Sequence, residues 1–168
     1  MVGETLIVYA TKTGINAKAA NAIADVLKTT YNLNVTVADL KDLPPEIAPF
    51  QNIIVGCGVK GTNVYNDAVN FLDKDFGDRK VALFFCCEDY ENPKAESTED
   101  NLKKALALNK SLKPIDVAAF GGCMRKQGKD VIDTLNMDRV KDWAIALGKK
   151  FDVKPQSGSS GSKQFFNP

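Results

Sequence analysis

The feature that most constrains the fold of this chain is a regular alternation of short apolar runs and amphipathic stretches. Residues 5–10 and 81–86 are nearly continuous apolar runs, as in strands that are covered on both faces. Between such runs, apolar residues recur at helical spacing, as at Ala20, Ile23 and Leu27. This alternation implies parallel strands joined by right-handed crossovers, and therefore a three-layer α/β/α domain.

The pattern predicts five strands, over residues 5–10, 35–38, 52–56, 81–86 and 115–120. It predicts helices that end near Tyr31, Phe76, Lys110 and Phe151. The composition changes after Pro155, where residues 156–162 are a Gly/Ser-rich linker. We therefore expect one domain over residues 1–153 and a flexible tail over residues 154–168. Phe165 and Phe166 in that tail could dock on a partner.

Charge and composition exclude several classes of function. The formal net charge is +1, without the basic excess of a nucleic-acid-binding protein. No apolar run is long enough to span a membrane, and the N-terminus lacks the layout of a secretion signal, so we predict a cytoplasmic protein. The chain contains no histidine, which removes histidine bases, histidine metal ligands and Ser-His-Asp catalysis. Any chemistry must therefore come from a cofactor.

The loop after the first strand, residues 10–16, is suited to binding a phosphate. It combines the hydroxyls of Thr11 and Thr13 with Gly14 and Asn16, and it leads directly into a helix N-terminus. Backbone N–H groups and the helix dipole favour an anion at such a point. The loop matches neither the P-loop nor the dinucleotide-binding pattern. The simpler alternative is an ordinary helix start capped by Thr11 or Thr13.

The same residues carry a family resemblance. The segment from Ile7 to Asn16, followed by Ala20 and Ile23, resembles the flavodoxin sequence that binds the phosphate of flavin mononucleotide (FMN). Asn16 departs from the family, which usually has Thr there, but asparagine can still donate a hydrogen bond. The resemblance implies a flavodoxin-like five-stranded sheet of order 2-1-3-4-5 with the flavin at the switch point.

The resemblance also assigns two loops to the flavin ring. Residues 56–62 follow the third predicted strand, and in flavodoxins a backbone carbonyl there turns over, a turn that Gly58 or Gly61 could make. Residues 86–90 follow the fourth, where Tyr90 would stack on the ring. The predicted FMN-binding residues are Thr11, Lys12, Thr13, Gly14, Ile15, Asn16, Gly58, Val59, Lys60, Gly61, Thr62, Cys87, Glu88, Asp89 and Tyr90.

Two functions follow from the resemblance. The first is an electron carrier that moves electrons on FMN between redox partners. The second is an FMN-dependent quinone reductase or protoporphyrinogen oxidase, because residues 120–124 and the segment around Trp143 resemble the branch near menaquinone-dependent protoporphyrinogen oxidases and archaeal flavodoxins. Its pocket would lie between Tyr65, Tyr90 and residues 125–129. Such oxidases usually have a longer insertion after the fifth strand, where residues 125–137 form a modest basic loop. We therefore predict the carrier.

Four cysteines follow predicted strand ends, so the fold would bring Cys57, Cys86, Cys87 and Cys123 to one rim. Thiolates are ligands of iron–sulfur clusters, but packing as small apolar side chains is the simpler interpretation. The adjacent pair Cys86 and Cys87 should point to opposite faces of the sheet, so that one of them lies in a core.

Overall fold

The fold was examined in a computed structural model, which describes residues 4–42, 46–60, 63–90, 98–126, 130–133 and 135–151. The strands are β1 (Glu4–Tyr9), β2 (Val35–Asp39), β3 (Phe50–Lys60), β4 (Asn63–Val64), β5 (Lys80–Tyr90), β6 (Asp116–Lys126) and β7 (Asp130–Asp133). The helices are α1 (Ile15–Tyr31), α2 (Asn66–Phe71), α3 (Thr98–Ala105) and α4 (Met137–Lys150).

The strands form one sheet of order β2-β1-β3-β5-β6-β7, with β4 paired to β3. The first five are parallel neighbours, and they are the five strands that the sequence predicts, so the order 2-1-3-4-5 is confirmed. The two additional strands, β4 and β7, are antiparallel to β3 and β6. Each forms a hairpin that returns from the carboxyl end of its parent strand.

Two apolar cores lie on the two faces of the sheet. Consecutive residues of β1 divide between them, because successive side chains in a strand point to opposite faces. Ile7 packs in the core that α1 and α4 cover, whereas Leu6 and Val8 pack in the core under α2 and α3. All three are fully buried, as the nearly continuous apolar run predicts. The three-layer α/β/α architecture is therefore confirmed.

Loops were predicted after the third, fourth and fifth strands, and this prediction is wrong for the residues that the structure describes. Residues 56–60 continue β3, residues 86–90 continue β5, and residues 120–126 continue β6. Their glycines and polar residues indicated strand ends, but the segments pair with one another across the sheet. Val59 pairs with Cys87, which in turn pairs with Gly122. Within the loop predicted over residues 125–137, residues 125–126 and 130–133 form part of the β6–β7 hairpin, and Met137 begins α4.

Two helices are shorter than predicted. The helix predicted to end near Phe76 extends only from Asn66 to Phe71, and Val64, two residues before it, pairs with Val59 in β4. Leu72 and Phe76 continue the helical spacing of apolar residues in the sequence beyond the end of the helix. They are apolar because they are buried in the same core as Phe71. The helix predicted to run to Lys110 ends at Ala105.

The domain boundary at residue 153 and the docking of Phe165 and Phe166 fall outside the described residues and stay predictions. In the described ranges, we find no helix with the length and apolarity needed to cross a membrane. The cytoplasmic location likewise stays a prediction.

Candidate functional site

The loop between β1 and α1 is open to solvent at its tip. Lys12, Thr13 and Gly14 are exposed. Gly14 is the N-cap of α1 and has φ +91°, a left-handed conformation that glycine adopts without steric cost. Thr11 Oγ1 accepts a hydrogen bond from Gly14 N at 2.9 Å, which closes the loop. The alternative in which Thr11 or Thr13 occupies the N-cap position is therefore wrong.

The start of α1 suits an anion. Its first turn contains no acidic residue, so nothing there opposes a negative charge. Among the described residues, and apart from Gly14 itself and its chain neighbours, no atom lies within 4 Å of the position that a Cβ on Gly14 would take. The backbone N–H groups of a helix's first turn lack helical partners and are available to a ligand. The loop thus offers donors, helix dipole and space, which fits a phosphate.

Ile15 and Asn16 differ from the rest of the predicted phosphate-binding residues, because their side chains are buried. Asn16 has no exposed surface, and its Nδ2 donates a hydrogen bond to the carbonyl oxygen of Cys86 at 3.4 Å. That bond joins the first turn of α1 to β5. These two residues therefore offer the loop their backbone N–H groups.

Tyr65 is a residue of this region that the predicted binding set omits. Its backbone N–H donates to the carbonyl oxygen of Gly58 at 2.9 Å, which closes the β3–β4 hairpin. Its ring covers Gly58, because a Cβ there would lie 2.4 Å from Tyr65 Cε2. The ammonium group of Lys12 lies 4.9 Å from the centroid of the same ring, within cation–π distance. Tyr65 therefore connects the β1–α1 loop to the end of β3.

The predicted ring-binding residues lie at the carboxyl edge of the sheet. Val59 is buried, Cys87 is half-buried and Lys60 is exposed. Residues 88–90 continue β5 as backbone, and Tyr90 pairs with Met124 of β6. Gly61 and Thr62 lie outside the described residues, and stacking by the Tyr90 side chain stays a prediction.

The peptide of Gly58 is held in place on both sides. Gly58 pairs with Cys86 in the parallel ladder, and its carbonyl accepts the hydrogen bond from Tyr65. A turn of this peptide would break the bond to Tyr65, at a cost of about 0.5–1.5 kcal/mol. The Gly58 peptide is therefore held against such a turn.

Three of the four cysteines divide between the two cores, as predicted for Cys86 and Cys87, whereas the side chain of Cys123 lies outside the described part of the chain. Cys86 is buried with α1 and α4, whereas Cys87 packs beside the core that contains Cys57. Burial raises the pKa of the Cys57 thiol and of the Cys87 thiol, which keeps both protonated at neutral pH. Within the described part of the chain, no group of three His, Cys, Asp or Glu residues could hold a metal ion. These findings favour packing as their role.

Comparison with known proteins identifies the family. The model of the flavodoxin domain matches residues 6–148 of this chain. The chain belongs to the flavodoxin family. No curated protein matches it.

Solved flavodoxins have similar folds. A short-chain flavodoxin associated with a non-canonical PDU bacterial microcompartment has a TM-score of 0.63 at 17% identity, covering 88% of this chain and 99% of that one. Oxidised flavodoxin 2 from Bacillus cereus has a TM-score of 0.61 at 19% identity, with coverages of 88% and 99%. Fusobacterium nucleatum flavodoxin bound to FMN has a TM-score of 0.58 at 18% identity, with coverages of 88% and 98%.

Proposed function

We propose that this chain is an electron carrier that binds FMN and moves electrons between redox partner proteins. The observation that carries the proposal is the open loop between β1 and α1. Gly14 is exposed at a helix N-terminus with free space beside it, and the first turn of the helix has no acidic residue. The solved Fusobacterium nucleatum flavodoxin that binds FMN has a similar fold, which supports the choice of this flavin.

In this proposal the phosphate is held by the exposed loop, through the hydroxyls of Thr11 and Thr13 and the backbone N–H groups of residues 13–16. Lys12 adds a positive charge beside them. The ring would lie along the carboxyl edge of the sheet, next to the ends of β3 and β5, where Gly58, Val59, Lys60 and Cys87 lie. FMN, when bound, supplies the redox chemistry, and the chain sets its orientation and surroundings.

The charge of the chain bears on its partners. A formal net charge of +1 gives weak long-range attraction to either a basic or an acidic partner. We therefore infer that complementarity of shape, more than electrostatic steering, selects the redox partners.

The test is to purify the protein, record its absorption spectrum and titrate the flavin-free form with FMN. We expect flavin absorption bands and release of FMN on denaturation. Gly14→Val should abolish binding while the chain stays folded, because a branched side chain would fill the space beside the loop. A colourless protein that fails to bind added FMN would refute the proposal. Saturable turnover of menadione or protoporphyrinogen would instead identify an oxidoreductase.

A further inference from the structure

Asn16 lies at a junction between the two parts of the proposed flavin site. Of the buried residues of α1, it alone carries a side-chain amide. The residue stands in the first turn of α1, two positions after the exposed Gly14 of the phosphate loop. Its amide donates to Cys86, which begins the segment over residues 86–90 that the family resemblance assigns to the flavin ring.

That segment of β5 is paired irregularly with β6. Phe85 pairs with Ala119 and Cys87 with Gly122, so β6 has one extra residue opposite Cys86. The register shifts again before Tyr90, where β5 has the extra residue. Gly121, within the first irregularity, has φ +83°. Such bulges bend and twist a strand locally. The irregular pairing with β6 therefore does not by itself fix the path of residues 86–90.

We propose that Asn16 is a positioning residue that ties the ring-flanking segment 86–90 to the phosphate loop, and that its side chain is not a ligand of the phosphate. This inference rests on the proposed binding of FMN. Because the side chain is fully buried and bonded to Cys86, its effect on the flavin passes through β5. The hydrogen bond to Cys86 then orients the ring-flanking segment whether or not the phosphate loop is occupied.

Riboflavin separates this role from direct phosphate binding, because it has the same ring as FMN but no phosphate. Asn16→Leu removes the amide donor and keeps the branched shape of the side chain. We expect it to weaken the binding of FMN and of riboflavin by the same factor, about fivefold, which corresponds to the loss of one neutral hydrogen bond. It should also change the midpoint potential of the bound flavin. Thr13→Ala, at an exposed position of the phosphate loop, should weaken FMN alone.

Asn52 provides a matched control for loss of stability. It is a buried asparagine at the amino end of β3, and its Nδ2 donates to Thr5 Oγ1 at 3.2 Å. Asn52→Leu should lower the thermal stability by a similar amount, yet leave both flavin affinities and the midpoint potential unchanged. If Asn16→Leu does not fold, Asn16→Ala removes the donor without adding volume, and the same measurements apply.

The outcomes are distinct. Equal weakening of both flavins with a changed potential, absent in Asn52→Leu, supports the proposal. Weakening of FMN with riboflavin unchanged would make Asn16 a phosphate ligand and overturn it. Unchanged binding of both flavins, or the same losses in Asn52→Leu, would also overturn it. Failure of the unaltered protein to bind either flavin would refute the proposed function itself.

Discussion

Replacing Gly58 by alanine tests the contact between the end of β3 and Tyr65. The added Cβ would lie 2.4 Å from Tyr65 Cε2 and 2.5 Å from Cδ2. It would also lie 2.6 Å from the backbone carbonyl oxygen of Ala10. The aromatic ring can rotate away, but Ala10 is itself held by a hydrogen bond from its N–H to the carbonyl oxygen of Gly56. Both obstacles must therefore move.

The size of the effect follows from opposing contributions. Forcing an extra carbon into a packed site costs about 1–3 kcal/mol, and two obstacles, one of them backbone, place Gly58→Ala near the upper figure. Alanine also has less conformational freedom than glycine in the unfolded chain, which stabilises the folded protein by about 0.4–1 kcal/mol. We expect the free energy of unfolding to fall by about 2 kcal/mol. For a chain of this length that lowers the melting temperature by about 4–8 °C.

The assay is urea unfolding of the flavin-free protein, repeated in a Tyr65→Ala background. Removing the ring relieves one of the two contacts and leaves the Ala10 carbonyl in the way, so the cost of Gly58→Ala should fall by about half in that background. Gly77→Ala is the control for backbone strain, because Gly77 has φ +59° and the nearest atom of another described residue beyond its chain neighbours, Arg79 Nη1, is 3.8 Å from the Cβ position. A cost below about 0.5 kcal/mol, or an equal cost with and without the Tyr65 ring, would refute the reasoning.

Three further predictions concern single residues. Gly14→Ala should lower the free energy of unfolding by only about 1–2 kcal/mol, from its positive φ, since no atom crowds that Cβ; a larger loss in urea unfolding would contradict this. Asn101→Leu should stabilise the protein by about 1 kcal/mol in thermal unfolding, because no described residue donates a hydrogen bond to its buried Oδ1. Burial raises the pKa of the Cys57 thiol in the folded protein. Above about pH 8.5 the thiol therefore ionises in the unfolded chain first, and the free energy of unfolding falls below its value at neutral pH. Cys57→Ala should make the free energy of unfolding depend less on pH between about pH 8 and pH 10. An unchanged slope would contradict the raised pKa of Cys57.

The sequence was enough to predict the layers, because they follow from the alternation of apolar runs and amphipathic stretches, whereas the strand order was implied by the family resemblance. The ends of the strands were not predictable in the same way. Glycine and polar residues usually indicate a turn, yet Gly56 lies within β3 because a Cβ there would meet the ring of Phe84 at 2.3 Å. That glycine reflects a close approach across the sheet, which depends on which strand is the neighbour. Nothing local to residues 56–60 reveals that neighbour.

The candidate site was predicted in part for a similar reason. A loop rich in hydroxyls before a helix is a local pattern, and the structure has its tip exposed as the pattern requires. The burial of Asn16 is a long-range property, since Cys86 lies 70 residues away along the chain. Tyr65 follows a glycine-rich segment, and an aromatic residue at that place was the one available signal for its contact with Gly58. Only the pairing of β3 with β4 gives that signal its meaning.

The aromatic contacts beneath the sheet also have an optical consequence. Trp143 is the one tryptophan of the chain, and its ring meets Phe84 and Phe120 edge-on at centroid distances of 6.2 and 5.5 Å. All intrinsic tryptophan fluorescence therefore comes from one position on α4, packed against the sheet. A flavin absorbs at the wavelengths where tryptophan emits, so a flavin at the carboxyl edge would quench that emission by energy transfer. Quenching of the Trp143 emission would report flavin binding, and a shift in its wavelength would report unfolding, in the same unlabelled sample.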